Sequence, residues 1–170
     1  MNQPLPQKQL QTLERKHNAR VAAVQAIFSQ RVLEAPLNGD VAIKKITTQW
    51  ESELDRSESD KEWNVEIMPQ KALLESILLG VAEEIDLLEE DVNSILRDDW
   101  KLNRINPILT AILLAAAYEL KCEPERKTEV VLSEYVTIAD DYVEPNEVDF
   151  VNGAMNNLAK KYRDIAKAET

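Results

Sequence analysis

The sequence is short of the residues that staple small scaffolds or build reactive centres. One cysteine among 170 residues, Cys122, excludes an internal disulfide framework and a cysteine zinc cluster. Three glycines, seven prolines and 5% aromatics supply too few turn and strand formers for a β-sandwich or barrel. No apolar run approaches the roughly 20 residues that span a bilayer. The longest one, Pro107 to Tyr118, reads as a buried helix. The opening residues Met1-Asn2-Gln3-Pro4 lack the basic-then-apolar pattern of a secretory signal, so cytoplasmic residence and no membrane partner are expected. The single histidine, His17, has no second His or Cys nearby, a poor basis for metal ligation or general-base chemistry. Neither a Gly-rich phosphate loop nor a nucleophile elbow is present. The acidic runs at 83–86 and 89–91 fit solvated helix faces better than a cation site. The expectation is a protein without enzymatic activity, metal or cofactor.

Charge is abundant but unevenly placed. Lys and Arg number 20 against 31 Asp and Glu, for a net charge of −11. Taken whole, that balance opposes non-specific nucleic-acid binding, which depends on releasing counterions from phosphates. Residues 1–31 nevertheless carry Lys8, Arg15, Lys16, Arg20 and Arg31 against Glu14 alone, a net of +4, and the remainder carries −15. An island of opposite sign marks a candidate contact for an anionic partner.

Apolar residues recur at helical spacing along nearly the whole chain. Residues 1–14, polar with two prolines, read as a flexible N-terminal arm, and 15–170 as one all-helical domain. A first helix is expected from Arg15 to about Glu34, stopped by Pro36, and a second from Val41 to Leu54. Residues 55–62 contain nothing apolar and are expected to form an exposed acidic loop. A third helix begins after Pro69 with Leu73, Leu74, Ile77, Leu78 and Val81 inward, and a short fourth runs from Leu87 to Leu96. Asn106-Pro107 is a capping residue followed by a proline suited to the first helical turn. The helix it opens is apolar on nearly every side and so is expected at the centre. A further helix covers Thr128 to Tyr142, and Pro145-Asn146 opens the last, with Asn146 as its cap. The fold expected is all-α, a single-domain bundle of about seven helices in two packed groups.

Three stretches together resemble the NusB family of bacterial transcription antitermination factors. Arg20-Val21-Ala22-Ala23-Val24-Gln25-Ala26-Ile27-Phe28 is similar to the family's R-x-x-A-V-Q-A-L-Y. Trp100-Lys101-Leu102-Asn103-Arg104-Ile105 and Ala117-Tyr118-Glu119-Leu120 resemble W-x-L-x-R and A-x-Y-E-L. Val130-Val131-Leu132-Ser133-Glu134-Tyr135-Val136 and Phe150-Val151-Asn152-Gly153 resemble V-A-I-N-E-A-V and F-V-N-G. In order and spacing they cover roughly residues 15–162. The chain departs from the family at Leu114, where an arginine is usual, at Ser133 in place of Asn, and at Leu109 in place of an acid.

The resemblance implies an all-helical RNA-binding module that is not an enzyme. Its implied partners are boxA-type RNA of ribosomal leaders, NusE (a small-subunit ribosomal protein) and the elongating RNA polymerase complex. Some family members self-associate, so a homodimer is an alternative state. The RNA-contacting residues implied are Arg15, Lys16, His17, Arg20 and Gln25, and the partner-contacting residues are Phe28, Val32, Asn146 and Phe150.

Physical chemistry gives each position a second reading. Lys16, His17 and Arg20 fall near an expected helix start, where the positive helix end also favours phosphate. Gln25 either bonds a base edge or serves as an interhelical amide. Phe28 and Val32, one turn apart, either form an apolar stripe for a partner or belong to the core. Gly153 inside a helix is expected to permit close packing, Asn152 to bond backbone, and Tyr118 and Glu119 to be structural. The alternative function is a protein–protein adaptor of the same fold that has lost most RNA affinity, a reading motivated by the −15 beyond residue 31.

Overall fold

The computed structural model describes residues 3–57 and 68–164. Six α-helices run in chain order: α1 Gln7–Val32, α2 Gly39–Ser57, α3 Lys71–Ile95, α4 Pro107–Cys122, α5 Thr128–Tyr142 and α6 Pro145–Ala159. A 3₁₀ turn at Asp98–Trp100 precedes α4, and a π-turn at Lys160–Asp164 follows α6. Among the described residues there is no strand. Two groups are apparent, α1–α3 and α4–α6, joined because α4 packs on α1 and α3 as well as on α5 and α6.

The central position of α4 follows from its composition. Every side chain from Ile108 to Leu120 is buried, which only a helix enclosed on all sides can achieve. Its start is fixed locally: Asn106 Oδ1 accepts from the Ile108 amide at 3.2 Å, and Pro107 occupies the first turn, where no donor is needed.

Helix α1 begins at Gln7, eight residues ahead of Arg15, so 7–14 are helical rather than a loose arm. Good helix formers and a proline just before the first turn extend it, without burial: Leu10 and Leu13 are exposed. The basic residues 15–20 consequently sit in the third and fourth turns, beyond the reach of the positive helix end.

Among the described residues the α-helices number six rather than seven, because the expected third and fourth are one continuous α3. Leu73, Leu74, Ile77, Leu78 and Val81 face inward as expected, and so do Leu88 and Val92 further on. The polar run at 83–86 contains no helix breaker, so it remains helical with its acids at the surface. Gly80 lies inside this helix because Tyr118 of α4 crosses there: an added Cβ would stand 2.1 Å from Cε2 of that ring. At the end of α3, Lys101 Nζ donates to the carbonyls of Asn93 and Leu96, both at 2.7 Å, closing free acceptors at the negative end.

Helix α2 packs on α3 alone to any extent and extends past Leu54 to Ser57. The rest of the expected acidic loop, from residue 58, lies outside the described residues. In α6, Glu144 occupies the cap position and Pro145 the first turn, so Asn146 is one residue inside the helix and exposed rather than its cap. Helices α1 and α6 flank α4 without packing extensively on each other. Gly153 also differs from expectation: an added Cβ would find nothing within 4 Å, so no close packing depends on it.

Candidate nucleic-acid interface

The five residues expected at RNA lie along α1, and four of them bond a partner within the protein through at least one side-chain atom. Arg15 Nε donates to the Met68 carbonyl at 3.0 Å, and the Arg15 carbonyl accepts from the Gln70 amide at 3.0 Å. His17 Nδ1 lies 2.9 Å from Glu134 Oε2 on α5. Gln25 Nε2 donates to the Tyr142 hydroxyl at 2.7 Å, which is the interhelical-amide alternative. Lys16 makes no ion pair among the described residues. It faces a cleft of about 510 Å³ lined also by Leu13, Ala72, Lys127 and Val130.

Arg20 requires the largest correction. It is only 5% exposed, and Nε and Nη2 form two parallel bonds to Glu119, at 2.9 Å and 2.8 Å. Burial by itself lowers its pKa, yet the hydrogen bonds and charge of Glu119 raise the value above that of ordinary arginine. The guanidinium is thus committed to the core through its Nε and Nη2 edge, while Nη1 lies 3.9 Å from Glu134 beside the cleft that Lys16 faces.

Glu119, with 0% exposure, is the hub of that network. Besides Arg20 it accepts from Arg126 Nη1 at 3.1 Å and from the Tyr135 hydroxyl. Burial and the adjacent Glu119 charge push the Tyr135 hydroxyl well above the usual tyrosine range, so it stays a donor. Glu123 extends the cluster. Ser76 Oγ donates to its carboxylate at 2.7 Å and Tyr118 at 3.1 Å, and Arg126 approaches to 3.7 Å. The Ser76 hydrogen bond above all, with smaller help from the Arg126 charge, holds the Glu123 carboxyl below the ordinary range despite partial burial.

The π-turn after α6 locks the same corner. Arg163 donates to the carbonyls of Glu119, Leu120, Glu123 and Arg126 and to Thr128 Oγ1, covering the open carbonyls at the end of α4. Burial lowers its pKa from the ordinary arginine value.

The residues expected at a protein partner divide. Val32, 55% exposed, lies at the end of α1, and Phe28 one turn earlier is half-buried against the core. Phe150 stacks on Trp100 with ring centroids 4.8 Å apart and an interplanar angle of 29°. Trp100 itself stays 40% exposed. Asn146 and Asn152 are exposed, and it is the Asn152 carbonyl that takes part in backbone bonding, accepting from Asn156 Nδ2 at 2.8 Å. Leu109 and Leu114 are buried in α4, so neither presents itself to a partner.

Sequence reasoning missed Glu134, Tyr135, Arg126 and Arg163 as the supports of this face. Tyr118 and Glu119, already read as structural, carried a local signal. Among the described residues no group of His, Cys, Asp and Glu is placed to hold a metal ion, and no helix is long and apolar enough to cross a membrane.

The enclosed central helix and the two helical groups packed around it define an all-helical protein. The sequence model of the NusB family matches residues 17–160. The transcription antitermination protein NusB of Bradyrhizobium sp. (strain BTAi1) is 35% identical over 150 residues, 88% of this chain and 83% of that one. NusB of Nitrobacter hamburgensis is 31% identical over 157 residues, 90% of this chain and 93% of that one. The solved structure of T. maritima NusB (P3121, form 2) covers all of both chains with a TM-score of 0.68 at 21% identity, a likeness of fold. The chain belongs to the NusB family of transcription antitermination factors, which are not enzymes.

Proposed function

We propose that this NusB-family protein binds boxA-type RNA of ribosomal leaders together with NusE, and that the complex joins elongating RNA polymerase in the cytoplasm. The observation that carries this reading is the anchoring of the basic island. Arg15, His17 and Arg20 tie α1 to residue 68, Glu134 and Glu119, and so hold Lys16 on a fixed surface of an otherwise acidic chain. A preset cation loses less conformational freedom on gripping a phosphate than one on a frayed arm. In this reading Lys16 and exposed Gln25 touch RNA, while Arg15, His17 and Arg20 position α1. Val32, Phe28, Phe150 and Asn146 offer the apolar and amide groups suited to NusE.

RNA binding by the protein alone is expected to be weak, because net −11 repels phosphate at long range. NusE, by covering acidic surface and adding its own cations, should strengthen it by a coupling of about 1–3 kcal/mol, and RNA must tighten NusE binding by the same factor. Titrating boxA-like RNA with and without saturating NusE, at two salt concentrations, tests this directly. Equal affinities in both titrations would show that the two sites are independent.

The adaptor reading is favoured by the inward bonding of three of the four basic side chains first placed at RNA, Arg15, His17 and Arg20. NusE binding without any salt-dependent RNA binding would establish it in place of the first.

A further inference from the structure

The corner between α4 and α5 carries a second set of cations that the basic island of α1 does not include. Residues Glu125, Arg126 and Lys127 form a ridge shared by two clefts of about 510 and 660 Å³. Lys16 lines the first cleft, Lys160 the second, and Lys127 both. None of the three lysines has an ion pair among the described residues. Half of the other described Lys and Arg side chains do, including Arg20, Arg31, Lys71, Lys121 and Arg126.

The ridge is also held still. Arg163 donates to the Arg126 carbonyl, to Thr128 Oγ1 at 3.0 Å and to the Glu123 carbonyl at 3.0 Å, while the Arg126 side chain bonds Glu119. Five hydrogen bonds from one arginine fix the backbone that carries Lys127.

We propose that Lys16, Lys127 and Lys160 form one phosphate-gripping track across this ridge, along which single-stranded RNA bound at α1 continues around the α4–α5 corner. The inference rests on the RNA-binding reading above. Lys16 and Lys160 lie in different clefts, so an anion engaging both must be extended and charged at several points. A nucleic-acid backbone meets that requirement and a small anion does not. The neighbouring acids are Glu125 in both clefts, Glu134 in the first and Glu129 in the second. Glu134 is engaged by His17 and Arg20, whereas Glu125 and Glu129 weaken the field of the track.

The test uses the full chain, a boxA-like RNA extended at either end and a series of salt concentrations, with saturating NusE. For a single strand, every phosphate that is no longer neutralised lowers the log–log salt slope by about 0.7, so Lys16→Gln/Lys127→Gln/Lys160→Gln should lower it by roughly 2. Restoring charge with Arg at the three positions should recover the slope. Glu129→Gln should tighten binding of the long RNA. Lys44→Glu, which changes net charge at an unpaired lysine on α2, should leave the slope unchanged. If the wild type binds and the triple variant keeps its slope, the track is overturned while RNA binding stands. A slope reduced equally in Lys44→Glu overturns it as a mere effect of net charge. If the triple variant loses NusE rather than RNA affinity, the ridge is a protein contact and the proposal is overturned. No RNA binding by the wild type at any salt removes the track and the RNA reading together.

Discussion

Arg20 and Glu119, 99 positions apart in sequence, meet through paired hydrogen bonds in which neither side chain keeps appreciable contact with water. Removing one partner leaves the other charge buried and uncompensated, a defect that typically costs about 3–5 kcal/mol. Arg20→Ala should therefore lower the urea midpoint sharply, and any loss of RNA affinity should track the loss of folded protein. An Arg20→Ala variant of wild-type stability with weakened RNA binding would return Arg20 to the RNA surface.

The two glycines inside helices, Gly80 and Gly153, should respond in opposite directions. At Gly153 the space for a Cβ is open, so Gly153→Ala should stabilise by about 0.5–1 kcal/mol through helix propensity and a less disordered unfolded chain. At Gly80 the same change drives a methyl into the Tyr118 ring, 2.1 Å away, and should destabilise by about 1–3 kcal/mol. Thermal unfolding of the two variants side by side checks both signs.

What was legible in the sequence was what local chemistry decides. Asn106-Pro107 announces the start of α4 because cap and first turn are neighbours in the chain, and the centrality of α4 follows from its own composition. The inward residues of α3 follow from spacing, but its length does not: a polar run with no breaker reads as a gap and folds as helix. The site was less legible because pairing across space decides which cations remain free. A row of basic residues shows that charge is present, but whether Arg20 faces phosphate or Glu119 depends on a helix almost a hundred residues away.

Acid should weaken the α4–α5 corner. The Glu123 carboxyl is held below its ordinary pKa in the folded state, so its contribution to stability is complete above the unfolded value and is lost as pH falls through the folded one. Stability measured against pH should drop below the ordinary carboxylate range, and Glu123→Gln should flatten that part of the profile. An unchanged acid limb in the variant would assign the drop to other carboxylates.

The end of α1 offers a separation of core from contact. Val32 is more than half exposed, so Val32→Asp should alter stability by no more than about 0.5 kcal/mol while weakening NusE binding tenfold or more. Phe28 packs on the core, so Phe28→Ala should lower the melting temperature as well. If Phe28→Ala costs stability and leaves NusE affinity unchanged, its role is confined to the core.

The enclosure of α4 gives the protein an internal gauge. With every side chain from Ile108 to Leu120 buried, its amides reach solvent only when the surrounding helices come apart, which is nearly global unfolding. Hydrogen–deuterium exchange along α4 therefore reports the stability of the whole molecule rather than local breathing. A ligand bound to the native surface slows that exchange by its linkage factor even where it touches no part of α4. Slower exchange in the middle turns of α4 upon adding RNA or a protein partner would register the complex from a segment enclosed by its own neighbours.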